Sequence, residues 1–136
     1  MARYWLMKSE PNAYSWDDLV NEQEGTWDGV RNHRAKNNMI AMEVGDQLFF
    51  YHSNIGLEIV GIAKVSVTGI KDPTDPEGKW DCVKIKPVRK LANPVTLKQV
   101  KADPRLAEME LVRLMRLSVS EVLLEEWNVI LELAGE

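Results

Sequence analysis

Residues 47–68 read QLFFYHSNIGLEIVGIAKVSVT, and this stretch decides the fold class. Gln47–Ser53 is rich in aromatic residues, as strands are, and Asn54–Gly56 is a turn whose glycine can adopt a positive φ. Glu58–Thr68 predicts a long strand, in which Gly61 marks a bulge or a point of close approach. Two strands joined by a turn favour a mostly antiparallel sheet over repeated βαβ units.

Further strands and short helices are predicted on both sides of this stretch. Pro87 implies an edge position or a bulge in the strand that contains it. We therefore expect an α+β fold, a pseudo-barrel of about five to six mostly antiparallel strands with short flanking helices. The other predicted elements are strands at Arg3–Lys8, Trp80–Leu91 and within Leu111–Val122 (the last carrying Arg113 and Arg116), and helices at Trp16–Asn21, Asn32–Met42, Thr96–Ala102 and Leu124–Ala134.

Length and composition narrow the class of protein. The chain has 136 residues, 45% hydrophobic and 28% charged, so we expect one ordinary globular domain spanning residues 1–136. No apolar run approaches the roughly 20 residues of a membrane span, and the first residues do not resemble a signal peptide. Cys82 is the only cysteine, which excludes an internal disulfide and indicates a reducing compartment, so we expect a cytoplasmic protein. One cysteine and two histidines argue against a zinc site, and we expect no metal and no cofactor.

Charge is unevenly distributed along the chain. The net charge of −4 argues against a protein that coats nucleic acid by bulk attraction. Residues 79–116, however, carry ten Lys or Arg against four Asp or Glu, and Arg31, Arg34 and Lys36 form a second basic group. Focused positive charge can hold a few phosphates even on an acidic protein. The alternative is that these side chains are merely solvated.

Two of the five tryptophans stand beside loops. Trp27 and Trp80 each adjoin a glycine-containing or polar segment, where an exposed ring can stack on a flat ligand. The alternative is that each ring covers an edge of the core. We assign Trp5, on a strand, and Trp127, on an amphipathic helix, to the core.

Polar residues also gather at predicted strand ends and at a helix start. Residues 27–32 precede a helix whose free backbone N–H groups favour anions, and Asn32 is either the helix cap or a ligand contact. Lys8 ends the first strand and could act as a catalytic amine only if burial or a cationic neighbour lowered its pKa. The sequence contains no nucleophile elbow and no glycine-rich phosphate loop of a common type.

A series of short motifs follows a recognisable order along the chain. The most specific are Lys8-Ser9-Glu10-Pro11 and Trp27-Asp28-Gly29-Val30-Arg31-Asn32. The others are Tyr14-Ser15, Gly45-Asp46, Phe50-Tyr51-His52-Ser53, Ile59-Val60-Gly61-Ile62-Ala63, Asp72-Pro73-Thr74, Trp80 and Arg116-Leu117-Ser118-Val119. From Tyr4 to Leu133 the chain thereby resembles the EVE domain family.

This resemblance implies a PUA-like fold and a nucleic-acid-binding function. Members are expected to hold a modified base in a pocket, either a modified cytosine in DNA, such as 5-methylcytosine, or a modified base in RNA. A chain without extensions resembles the standalone, bacterial members. The positions that match the motifs, and that would form the pocket, are Lys8, Ser9, Trp27, Val30, Arg31, Asn32, Tyr51, His52, Ser53, Trp80, Arg116 and Ser118.

We therefore predict a non-enzymatic module that captures one modified base. Stacking on Trp27 or Trp80 and hydrogen bonds from polar side chains would offset the few kcal/mol needed to take a base out of its stack. Basic side chains would position the flanking phosphates while the pocket specifies the base. The residues assigned to phosphate are Arg34, Lys36 and Arg113, together with Arg31 and Arg116.

Two alternatives stay open. The related ASCH group contains small amidohydrolases that act on modified cytidine, and Lys8 beside Ser9 and Glu10 would supply the analogous groups. The third hypothesis is a binder of a free nucleobase or metabolite, which the acidic net charge favours mildly. Salt dependence separates it from a polymer binder, because only the polymer binder should lose affinity steeply as salt rises.

Overall fold

A computed structural model of the protein describes residues 3–136, in which six strands form one sheet of order β2–β5–β4–β3–β1–β6. The helices flank this sheet, and β2 and β6 are its edges. The strands are β1 (Tyr4–Ser9), β2 (Gly25–Thr26), β3 (Gln47–His52), β4 (Glu58–Lys71), β5 (Asp81–Thr96) and β6 (Val119–Val122). The helices are α1 (Trp16–Glu22), α2 (His33–Ala41), α3 (Leu97–Ala102), α4 (Glu110–Arg113) and α5 (Leu124–Leu133), with a 3₁₀ turn at Pro104–Leu106.

Antiparallel pairing dominates the sheet. β4 pairs antiparallel with β3 and β5, and β5 also pairs antiparallel with β2. The exception is β1, which runs parallel to β3 with Tyr4 opposite Gln47, and antiparallel to β6 with Tyr4 opposite Val122. The expected α+β fold with a mostly antiparallel sheet is thereby confirmed.

The long β4–β5 hairpin is irregular where proline and glycine interrupt it. Pro87 lies opposite Ala63 at a shift of register, so the bulge predicted for this proline is present. Gly61 lies beneath the indole ring of Trp16, and a Cβ atom there would come within 2.6–2.8 Å of three ring carbons. The glycine therefore allows α1 to pack directly on the sheet.

Two apolar clusters cover the two faces of the sheet. The first lies under α1 and α2 and includes Trp5, Trp16, Trp27 and Phe50. The second lies under α3, α4 and α5 and includes Trp127. The core positions predicted for Trp5 and Trp127 are confirmed, since both are buried.

The prediction of a strand carrying Arg113 and Arg116 is wrong. Arg113 is the last residue of α4, and Arg116 lies in the turn that precedes β6. Arg113 and Arg116 are three positions apart, which is not the two-residue period of a strand. Local i→i+4 hydrogen bonds close a helical turn there, with the Leu114 N–H donating to the Glu110 carbonyl at 2.7 Å.

No helix within residues 3–136 is long and apolar enough to cross a membrane.

Candidate functional site

A cavity of about 630 Å³ opens where β1 ends. Its walls come from the end of β1, from the segment between β2 and α2, and from the residue that precedes β6. Six predicted pocket residues line it, namely Lys8, Ser9, Trp27, Val30, Arg31 and Ser118. The other six predicted pocket residues do not line this cavity.

Lys8 and Ser9 are fixed by backbone carbonyls. The Lys8 Nζ donates to the Met115 carbonyl at 2.5 Å and lies 5.8 Å from the centre of the Tyr51 ring. The Ser9 hydroxyl donates to the Tyr14 carbonyl at 2.5 Å. Burial lowers the pKa of Lys8 below its usual value. Tyr51 itself is buried in the apolar cluster that contains Trp127, so it does not line the cavity.

Trp27 is both a core residue and a wall of the cavity. Its ring is 7% exposed and meets Phe50 edge-on, with ring centres 5.6 Å apart and planes at 88°. Tyr14 meets the same indole at 6.4 Å and 86°. The two interpretations of Trp27, core edge and ligand platform, are therefore compatible, because its packing holds the ring rigidly at the cavity.

A buried carboxylate holds the segment that follows Trp27. Asp72 is 2% exposed, and its Oδ2 accepts from the Gly29 N–H at 2.8 Å and from the Arg31 Nη1 at 3.0 Å. Its Oδ1 accepts from the N–H and the hydroxyl of Thr74 at 2.7 and 2.6 Å. Burial alone would raise the pKa of Asp72, but the hydrogen bonds from Thr74, Arg31 and Gly29 lower it to about 2. Asp72 thus fixes the backbone that bears Val30 and Arg31.

Three predicted pocket residues make hydrogen bonds that hold structural elements in place. The Asn32 Oδ1 accepts from the Ala35 N–H at 2.9 Å, so Asn32 is the N-cap of α2, as one of its two interpretations required. The His52 Nε2 accepts from the Trp16 N–H at 3.1 Å, and burial lowers the pKa of this imidazole. The Ser53 N–H donates to the Ser9 carbonyl at 2.9 Å. These contacts position the ends of β1, β3 and α1.

A smaller groove of about 340 Å³ carries the arginines that were assigned to phosphate. Arg34 pairs with Glu110 at 2.9 Å, and Arg113 donates to the Glu108 carbonyl at 2.8 Å. Arg116, which lines the same groove, has no ion pair or side-chain hydrogen bond within residues 3–136. The groove adjoins the cavity, because consecutive residues line both. Asn32 of the groove follows Arg31 of the cavity, and Leu117 of the groove precedes Ser118 of the cavity.

Trp80 lies beside the cavity, not in its wall. The half-buried indole stacks on His33, with ring centres 4.9 Å apart and planes at 28°. The Arg31 guanidinium carbon lies 5.5 Å from the ring centre and the Lys36 Nζ 5.1 Å. The loop before β5 directs this ring towards α2 and away from the cavity that Trp27 lines, and a ligand contact for Trp80 stays a prediction.

Several carboxylates that line one wall of the cavity were not predicted from the sequence. Glu22, Glu24 and Asp28 line it, and Glu24 is held by the Ser66 hydroxyl at 2.7 Å. Glu22 ends α1, Glu24 precedes β2 and Asp28 follows it, so no regular spacing in the sequence indicates that they share a wall. Tyr14 also lines the cavity, and its buried hydroxyl has no hydrogen-bond partner within residues 3–136. Burial and the charge of Glu22 raise the pKa of Tyr14 to about 12.

Among the described residues, no group of three or more His, Cys, Asp or Glu is arranged to hold a metal ion.

Comparison with known proteins gives consistent matches over nearly the whole chain. The model of the EVE domain family matches residues 3–133. Thymocyte nuclear protein 1 of Mus musculus is 34% identical over 167 aligned positions, covering 98% of this chain and 74% of that protein. The NMR structure of Rpa0253 from Rhodopseudomonas palustris is 51% identical, with a TM-score of 0.93 and coverage of 98% of this chain and 94% of that one.

One of the similar solved structures contains nucleic acid. It is human THYN1 protein in complex with 5-methylcytosine-containing DNA, 29% identical, with a TM-score of 0.85 and 99% of both chains covered. An ASCH protein from Zymomonas mobilis is more distant, at 10% identity and a TM-score of 0.61, covering 96% of this chain and 95% of that one. That likeness concerns the fold alone.

Proposed function

Because the chain belongs to the EVE domain family, we propose that it captures one modified base of a nucleic acid in the cavity at the end of β1. The observation that carries this proposal is the position of Trp27, a rigid aromatic wall beside polar groups, in a relative of a human protein bound to 5-methylcytosine-containing DNA. A modified cytosine in DNA is accordingly the first ligand to test, and a modified RNA base the second.

The cavity offers both kinds of contact that a flipped base requires. Trp27 supplies a flat apolar face, and base–aromatic stacking contributes about 1–3 kcal/mol. Lys8, Ser9 and Ser118 supply polar groups on the adjoining wall. Together these contacts offset the few kcal/mol that extraction of a base from its stack costs.

The distribution of charge separates the base from the phosphates. Carboxylates on the cavity wall, including Glu22 and Glu24, disfavour a phosphate inside the cavity but accept hydrogen bonds from an amino group. The adjoining groove with Arg34, Arg113 and Arg116 has the opposite charge. We assign the flanking phosphates to this groove, with Arg116 as the main contact because its guanidinium has no carboxylate partner within the described part of the chain.

Two broader assignments follow from the same reasoning. Residues 1–136 would act as a single EVE domain, because the six strands between residues 4 and 122 form one sheet. The single, buried Cys82 agrees with a reducing compartment, for which we propose the bacterial cytoplasm. Fractionation of the source cells would test this location.

The test is fluorescence polarisation with matched oligonucleotides at low salt. The set contains cytosine, 5-methylcytosine and 5-hydroxymethylcytosine in single- and double-stranded DNA, and bulk modified and unmodified tRNA. We expect preference for one modified form and a steep fall of affinity with salt. As a matched control, Arg116→Ala should weaken all oligonucleotides alike and reduce the salt slope by about 1 without changing the preference. Uniformly weak binding would favour a free nucleobase or metabolite.

A second candidate function is an amidohydrolase of modified nucleosides. The specific observation in its favour is the lowered pKa of Lys8 in a cavity wall beside Ser9 and Glu10. This function predicts turnover of N-acylated cytidines that Lys8→Ala abolishes. No product at high protein concentration would exclude it.

A further inference from the structure

Trp80 differs from the other four tryptophans of the chain. Trp5, Trp16 and Trp27 belong to one apolar cluster and Trp127 to the other, whereas Trp80 belongs to neither. Its ring is half-buried, so part of a large aromatic surface remains accessible beside the cavity. Burial in the core therefore does not account for this residue.

The backbone around Trp80 is nevertheless held firmly. The Trp80 N–H donates to the Asp75 Oδ2 at 2.9 Å, and its carbonyl accepts from the Asp72 N–H at 2.9 Å. The Lys36 Nζ donates to the Lys79 carbonyl at 2.7 Å and so ties this loop to α2. An accessible ring on a fixed backbone is preorganised for stacking, because little freedom is lost when a ligand binds.

An imidazole and two cationic side chains contact the ring. His33 stacks on it, and the cationic groups of Arg31 and Lys36 lie 5.5 and 5.1 Å from its centre. An aromatic face among cations suits a nucleobase with its attached phosphates, since the base stacks while the cations meet the backbone.

Arg31 and Asp72 connect this ring to the cavity. Arg31 lines the cavity and also contacts the Trp80 ring. Asp72 accepts from the Gly29 N–H in the cavity wall and donates its own N–H to the Trp80 carbonyl. The ring therefore stands next to the part of the cavity wall that Gly29 and Arg31 form.

We propose that Trp80, with His33 and Lys36, forms a second stacking site that binds the base next to the captured one. This inference rests on the proposed function, because the cavity must hold one nucleotide of a strand for its neighbour to reach Trp80. A second stacking site also changes the size of the ligand that the protein recognises. The protein would recognise at least a dinucleotide, and a free nucleoside would use only part of the binding surface.

The experiment uses single-stranded DNA with one 5-methylcytosine, measured by fluorescence polarisation at low salt. Two further strands carry an abasic site immediately 5′ or 3′ of the 5-methylcytosine, and 5-methyl-2′-deoxycytidine serves as a free competitor. We expect Trp80→Ala to weaken the intact strand by roughly 5- to 100-fold, and Trp80→Phe to restore most of the affinity. Competition by the free nucleoside should be unchanged in Trp80→Ala.

The abasic strands test the contact without altering the protein. One of them should bind the wild-type protein as weakly as Trp80→Ala binds the intact strand, and Trp80→Ala should not distinguish that strand from the intact one. Equal affinity of the wild-type protein for all three strands would overturn the proposal, whatever the fate of the variants. An equal loss of nucleoside and strand binding in Trp80→Ala would also overturn it.

Failure of the proposed function has a different signature. Trp27→Ala should weaken the nucleoside and the strand together, whereas Trp80→Ala should weaken the strand alone. A wild-type protein that does not prefer 5-methylcytosine to cytosine would refute capture of this modified base. The same abasic comparison on an unmodified strand would then still decide whether Trp80 stacks on a base.

Discussion

On one face of the sheet Phe49 stacks on Trp127, with ring centres 3.8 Å apart, and helices α3 to α5 close over the strands. On the other face Phe50 meets Trp16 and Trp27 edge-on, and the cavity opens beside them. Phe49 and Phe50, which are neighbours on β3, thus pack in different environments on opposite faces of the sheet. The first face, here called the closed face, is filled by apolar side chains. The second, here called the cavity face, combines apolar packing with hydrogen bonds between polar groups.

The difference shows how a small sheet can carry a site without losing its core. Alternation along β3 sends Phe49 to the closed face and Phe50 to the cavity face. On the cavity face, the Asp72 carboxylate accepts from Arg31 and the Asn32 Oδ1 accepts from the Ala35 N–H, and these bonds determine the positions of Arg31 and α2. Changes to the closed face should therefore affect stability alone, while changes to the cavity face should affect stability and binding together.

The largest effect is expected from Trp127→Ala on the closed face. Loss of a buried indole that contacts Tyr4 and Phe49 should lower the free energy of unfolding by about 3–5 kcal/mol. Denaturation with urea measures this loss. At low temperature, where the Trp127→Ala variant stays folded, it should retain the affinity and base preference of the wild type. A folded variant that has lost its preference would show that the two faces are coupled.

Asp72→Asn on the cavity face should have the next largest effect. It should lower the free energy of unfolding by about 2–3 kcal/mol at pH 7. The pKa of Asp72 is about 2 in the folded protein, against 3.8 ordinarily, so the carboxylate stabilises the fold above about pH 4 and loses this contribution as the pH falls towards 2. The stability difference between wild type and variant should therefore narrow between pH 4 and pH 2. Urea denaturation at several pH values measures it.

Glu77→Gln is the matched control for Asp72→Asn. Glu77 lies on the same loop but is exposed, and its ion pair with Lys79 is a surface pair. This change should alter the stability by less than about 0.5 kcal/mol. A difference between wild type and Asp72→Asn that stays constant from pH 7 to pH 2 would contradict the assigned role of the Asp72 carboxylate.

Trp27→Ala should weaken binding of the modified base by about 1–3 kcal/mol, because the stacking surface is removed. It should also destabilise the fold, since the ring packs on Phe50. Fluorescence polarisation of the folded fraction separates the two effects, and Trp27→Phe should retain part of the affinity. A folded Trp27→Ala protein that binds undiminished would remove Trp27 from the site.

The smallest effect is expected from Glu24→Gln in the carboxylate wall. Removal of one negative charge should tighten binding of any strand by roughly 0.5 kcal/mol at low salt, and the gain should vanish at high salt. The amide oxygen can still accept from the Ser66 hydroxyl, so the shape of the wall is kept. Titrations at two salt concentrations measure the effect. Glu132→Gln on α5 is the control, and an equal gain there would indicate a general effect of net charge.

Features that depend on neighbours in the sequence were predictable. The start of α2 at Asn32, the turn before β4 and the glycine under Trp16 each follow from local propensity or from the absence of a side chain. Lys8 and Ser9 were placed correctly at a strand end that borders a cavity. Motif spacing sufficed there because one strand and its following turn carry both residues.

Features that depend on distant partners were not predictable. Asp72 resembled an ordinary loop residue, since its partners Gly29 and Arg31 precede it by 43 and 41 positions. Trp80 looked equivalent to Trp27 because both adjoin loops, but the contact between Lys36 and Lys79 directs its loop to α2.

The position of β1 between β3 and β6 has a consequence for the order in which the protein is made. Tyr4 lies opposite Val122, and the Lys8 N–H donates to the Ser118 carbonyl at 2.9 Å. Since synthesis proceeds from the N-terminus, the edge of β1 that pairs with β6 stays unpaired until residues 118–122 have left the ribosome. The wall that joins Lys8 to Ser118 is therefore among the last parts to be completed. A nascent chain can form most of its sheet before it can bind anything in the cavity.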